Sequence, residues 1–157
     1  MKATTTNARK VATTLRPHVD ALLLAMALAQ TERERVDKIE RKVLANLGYG
    51  HLEPKHTYQL TDSVAAEYHA RLNAIHLANG FKDAAQGYCP ALVAEHLQIE
   101  AEWALIAAAE EFFPGVTNDR LLCGTKNKGG LETRREYIDL MIKLVVNAPG
   151  YKSPLAA

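Results

Sequence analysis

His96 and Glu100 stand one helical turn apart in the segment CPALVAEHLQIEAEWALIAAAEEFF, residues 89–113. At i,i+4 an imidazole and a carboxylate on one helix face can touch. Two kinds of chemistry suit such a pair. The carboxylate can orient the imidazole for proton transfer, or both can serve a metal site. The plainer alternative is a polar pair buried between helices or set in a solvent-facing groove. His69 and His76 supply further donors. They are seven residues apart on one side of a second helix, which places their Cα atoms ~10.5 Å apart. That is too far for a same-helix metal pair, so either would need His96 or Glu100 from a facing helix. Otherwise they are helix-boundary histidines with wet tips. A di-metal carboxylate bundle needs a helical Glu-x-x-His twice. Here that spacing occurs only from Glu53 to His56, and Pro54 interrupts it.

Three weaker constellations follow. The loop HLEPKH brings His51, Glu53 and His56 within six residues. These are metal-ligand types, but the order is not His-Glu-x-x-His and the proline forbids that helix. The segment GTKNKGGL, residues 124–131, falls short of a phosphate-binding loop: Gly129 is followed by Gly130 and Leu131 where Lys and Ser/Thr are required. What survives is a cluster of Lys126, Lys128, Arg134 and Arg135 around glycines at a helix N-terminus, a setting that favours anions. No aromatic residue interleaves with these charges, which argues against stacking on a single strand. Cys89 precedes Pro90 at a helix N-terminus, where a thiol can be activated. A nucleophile needs a histidine in reach, and His96 lies two turns along the same helix. Cys123 has no supporting context.

These residues are positioned by helices. Pro17 opens a first helix to about Leu47, preceded by a polar, Thr-rich segment 1–16 that frays. Val36, Ile39, Val43 and Leu47 form its apolar stripe. Glu34–Lys38, Arg33–Asp37 and Asp37–Arg41 are i,i+4 pairs worth ~0.2–0.5 kcal/mol each. Gly48 and Gly50 stop it, and residues 48–60 form a loop. Thr61 or Asp62 caps a second helix to Asn79, with Val64, Tyr68, Leu72 and Ile75 inward. The third helix, about 90–113, begins at Pro90 and ends before Pro114-Gly115. Glu95, Gln98 and Glu102 form its narrow polar stripe, and the apolar remainder implies a largely buried central helix. Thr133 and Glu136 fit a capping box for the last helix, whose inward residues are Ile138, Met141, Ile142 and Val145. The expected fold is an all-α, single-domain bundle of about four main helices over residues 17–147, with an extended or disordered tail at 148–157.

Composition bounds the function. A chain of 157 residues, 48% hydrophobic and 24% charged, is an ordinary globular domain. Its net charge of +1 argues against bulk electrostatic binding to DNA or membranes. The charge is segregated: residues 1–60 carry +4, 61–118 carry −6 and 119–157 carry +3. Basic ends folding over an acidic centre would explain this pattern, as would a basic face that meets an acidic partner. Two cysteines are too few for a disulfide scaffold, so a reduced, cytoplasmic protein is expected. The run ALLLAMALA at 21–29 points to secretion, but Pro17 and Asp20 precede it and the helical pattern continues past Gln30. The run itself is too short to span a bilayer.

The first expectation is a non-enzymatic helical interaction module, homo-oligomeric or bound to a protein partner, acting as an adaptor, assembly factor or small regulator. It needs no cofactor and no membrane. The second is a metal- or ligand-binding protein, or an enzyme, centred on His96 and Glu100 with His69 or His76. The third is a nucleic-acid-binding regulator using residues 126–135, whose affinity would fall steeply with salt.

Overall fold

The computed structural model describes residues 5–117 and 134–156, with no strand among them. The protein is all-α. Four long helices are described: α1 (Thr5–Asn46), α2 (Asp62–Ala78), α3 (Pro90–Ala109) and α4 (Arg134–Val146). Short 3-10 helices, Pro54–Gln59 and Lys82–Gln86, interrupt the two segments expected as loop and linker. The chain divides into two compact units. One is contiguous, residues 27–96; the other joins residues 1–26 to 97–157.

In the discontinuous unit, three helical segments share one core. The first part of α1 contributes Leu15, Val19 and Leu22, and α3 contributes Leu105, Ile106 and Ala109. Tyr137, Ile138, Met141 and Val145 of α4 complete it, with Val116 from the turn after α3. The inward residues expected for the last helix are therefore inward, with Ile142 packed at the edge. In the contiguous unit, Val43 and Leu44 of α1 meet Leu60, and Tyr68 and Leu72 of α2. Ile39, Leu47, Val64 and Ile75 pack against that cluster, as their spacing implied.

Helix ends follow local chemistry. Gly48 has φ +86°, Tyr49 N–H donates to the Leu44 carbonyl at 2.8 Å, and Gly48 N–H to that of Ala45 at 3.1 Å. This left-handed exit satisfies carbonyls at the end of α1. Gly80 repeats it after α2, with Phe81 N–H on His76 O at 2.9 Å. Thr61 occupies the N-cap position of α2, but its side chain makes no capping hydrogen bond.

Three sequence-based boundaries differ. First, α1 begins by Thr5, so Pro17 lies inside the helix instead of opening it. The reason is packing: Ala12, Leu15, Val19 and Leu22 form one buried stripe that runs through the proline, while Pro17 itself is exposed. Second, α3 stops at Ala109, not at Phe113. There Glu110 turns its carboxylate onto the following turn, accepting from Gly115 N–H at 2.7 Å, Thr117 N–H at 3.1 Å and the Thr117 hydroxyl at 3.0 Å. The Gly115 N–H, followed by that of Thr117, holds the Glu110 carboxyl below its usual range. Third, residues 148–156 turn twice, with Tyr151 N–H on Ala148 O at 3.1 Å and Ala156 N–H on Ser153 O at 3.2 Å, and are anchored: the Tyr151 hydroxyl donates to Asp20 Oδ1 at 2.7 Å and Arg16 lies over its ring.

By length and composition α1 could cross a membrane. Leu15, Val19 and Leu22 on it nevertheless belong to a protein core. Of the charge pairs expected along α1, Asp37–Arg41 forms at 2.7 Å. Arg33 instead reaches Glu95, at 3.2 Å, and Glu34 accepts from Gln30.

A proline inside a helix removes one hydrogen bond and crowds the preceding turn, at ~3 kcal/mol. Pro17→Ala should therefore raise stability to chemical denaturation by up to ~3 kcal/mol. Were Pro17 a helix-opening residue, the same substitution would be close to neutral.

Candidate functional site

The structure disperses most of the residues singled out by spacing. His96 and Glu100 are both exposed, and neither carries a hydrogen bond or ion pair among the described residues. They are not the buried pair that an apolar α3 suggested. The reason is that α3 buries one side only. Ala91, Ala94, Leu105, Ile106 and Ala109 face inward, while Leu92, Leu97, Ile99 and Trp103 stay exposed. His69 is exposed, edge-on to the Tyr68 ring at 5.2 Å.

His76 departs from the expectation of a wet tip. It is 2% exposed, and its Nδ1 has no hydrogen-bond partner. Burial pushes its pKa below the ordinary value, and the Arg35 charge adds to this against the opposing Glu32. His51 and Glu53 are exposed, and Glu53 is engaged by Lys55 at 3.0 Å, which lowers its carboxyl pKa. No group of three or more His, Cys, Asp or Glu among the described residues could hold a metal ion. Cys89 is a half-buried free thiol, and Cys123, Lys126 and Lys128 lie outside the described residues.

Arg134 and Arg135 lead to a different centre. Both turn toward Glu102, a carboxylate only 6% exposed. Oε1 accepts from Arg135 Nη1 at 3.3 Å and from Gln98 Nε2 at 3.2 Å. Oε2 faces Arg134 Nη2 at 3.7 Å. A buried carboxylate must be paired and hydrogen-bonded, and these three side chains do that. The expected anion-binding arginines are thus already committed to an internal anion. Arg135 also approaches Asp139, at 3.8 Å.

The pairing arranges the surface beside it. The Arg134 guanidinium lies 5.1 Å from the centre of the Trp103 ring. Trp103 is the chain's one tryptophan, and it is 41% exposed. Ile99, four residues before it on α3, is exposed as well. A cation over an indole face is worth ~0.5–1 kcal/mol at a partly exposed site. The result is an aromatic plate on a helix, braced by a guanidinium that a buried carboxylate holds. Glu102 Oε1 accepts two hydrogen bonds and Oε2 faces Arg134 at 3.7 Å, while Trp103 beside it presents an apolar surface. Sequence reasoning placed Glu102 on the polar stripe and left Trp103 unremarked. The available signal was a tryptophan one residue after that stripe and seven after His96. Compared with family models, with curated proteins and with solved structures, the chain finds no match in any of the three.

Two outcomes follow. Glu102→Leu removes the shared anion and releases Arg134 and Arg135, which are partly exposed and can rehydrate. The expected loss is ~1–3 kcal/mol of stability, together with a shift in Trp103 emission; an unchanged spectrum would show that the brace does not exist. His76 sets a pH dependence. The folded state holds its pKa down, while the unfolded chain protonates near 6.5. The folded state is then penalised as pH falls below that value. The melting temperature should drop on acidification below 6.5, and His76→Leu should flatten that part of the curve.

Proposed function

We propose that the protein is a non-enzymatic helical interaction module that self-associates through the face of α3 bearing Ile99 and Trp103. The observation that carries this reading is the exposed Trp103 braced by Arg134. Tryptophan and arginine dominate the energetics of protein interfaces, because each presents a large contact area at modest cost in conformational freedom. A brace already formed in the free protein lowers that cost further.

A second copy suits the surface better than a partner of a single charge. Arg134 borders Trp103 on one side, and Glu100 stands one turn before it on α3. A two-fold interface brings each patch against itself, so a patch carrying both signs is self-complementary. His96 and Glu100 then act as polar rim residues, without a catalytic part.

The single tryptophan makes the test direct. On dilution, Trp103 emission should shift to the red and become more accessible to iodide as copies separate. Trp103→Ala should abolish association in sedimentation while leaving the helical circular dichroism intact. A wild-type protein that sediments as a monomer at all concentrations, with dilution-independent emission, would sink the proposal.

A further inference from the structure

A groove of about 780 Å³ lies in the discontinuous unit, between the first turns of α1 and the end of α4. Its floor is apolar: Ala8 and Ala12 on one wall, Leu140 and Leu144 on the other, with Ala148 and Pro149 closing the end. Among the described residues, three cations stand around it, Arg9, Arg16 and Lys143, and no acidic side chain lines it. The side chains of Arg9 and Lys143 have no hydrogen-bond or ion-pair partner among the described residues. Arg16 is partly satisfied by Asp20 at 3.7 Å and lies over the Tyr151 ring, 5.4 Å from its centre. The Tyr151 hydroxyl is fixed as a donor to Asp20, and desolvation, with that hydrogen bond, pushes its pKa up to about 12. One wall of the groove is therefore held in place before any ligand arrives.

This volume falls in the range of small-molecule sites, ~300–1,000 Å³, which combine an apolar lining with a few placed polar groups. An apolar floor calls for a hydrocarbon or aromatic body. Unpaired cations at the edge call for an anionic head, and guanidinium groups take a carboxylate or a phosphate through charge-assisted hydrogen bonds. We infer that the groove binds an amphiphilic organic anion, its apolar body along Ala12 and Leu144 and its carboxylate or phosphate held by Arg9 and Lys143. This site shares no residue with the Trp103 face, so it stands or falls separately from the proposed self-association.

The probes are decanoate and decyl phosphate, with decanol as the neutral control, titrated calorimetrically below their aggregation limits into the full chain. Saturable one-site binding of at least one anion, well above that of decanol, is the expected result. The double substitution Arg9→Gln with Lys143→Gln should weaken it by about tenfold or more, since both charge-assisted bonds to the head group are lost. Both side chains are exposed, so the melting temperature and the sedimentation behaviour should hold. Ala8→Phe, which fills the groove without touching a charge, should weaken binding as well. The proposal is overturned if decanol binds as tightly as decanoate, if the charge substitutions leave affinity unchanged, or if neither anion binds. Binding confined to vesicles of anionic lipid, with none to the monomeric amphiphiles, would also overturn it and indicate a membrane surface instead.

Discussion

Burying Glu102 constrains the groups around it on α3 and α4. A carboxylate removed from water has to be matched by positive charge and hydrogen-bond donors. Here the matching groups are Arg134 and Arg135, the first two residues of α4, with Gln98 from one turn back on α3. Cations in the first turn of a helix oppose its dipole, so these arginines are badly placed for α4 on its own. Glu102 reverses that cost by supplying an anion at the same helix end. The position of the Arg134 guanidinium over Trp103 follows from this carboxylate.

The side of α3 that faces inward is built from small residues. Ala91, Ala94 and Ala109 are buried, with Leu105 and Ile106 as its large contributions. Alanine gives little apolar area but allows close approach, and it leaves the larger Leu92, Leu97, Ile99 and Trp103 on the outside. The helix thus carries large apolar residues on both its buried and its exposed sides. Scattered exposed apolar residues are ordinary on a protein surface. Ile99 and Trp103, four residues apart on one side of this helix, form an apolar surface of a different kind.

Much of the fold was legible in the residues, and the reasons are local. The stripes Val36–Ile39–Val43–Leu47 and Val64–Tyr68–Leu72–Ile75 obey helical spacing, and Gly48 and Gly80 are punctuation that few other residues could supply. Pro17 misled because a proline is strong local evidence for a helix start, whereas the stripe from Ala12 to Leu22 is a tertiary argument that outweighs it. The even apolar distribution around α3 misled differently. Periodicity shows which residues are apolar but not whether anything covers them, so His96 and Glu100 looked enclosed. Glu102 was visible on the polar stripe, but its arginines lie more than thirty residues away, and single-sequence spacing carries no information across that distance. His76 was legible as a histidine beside a core stripe, yet its full burial depends on the neighbouring elements.

The hydrogen bond from Tyr151 to Asp20 closes a loop of 131 residues. The core it borders draws on both ends of that loop, whereas residues 27–96 form their own cluster from one unbroken stretch of chain. Synthesis delivers these pieces in order, and domains fold as their residues emerge. The contiguous unit can assemble while α4 is still inside the ribosome. Leu15, Val19 and Leu22 emerge first and find their partners last. For that interval Leu15, Val19 and Leu22 lack their core partners on α3 and α4 in the nascent chain.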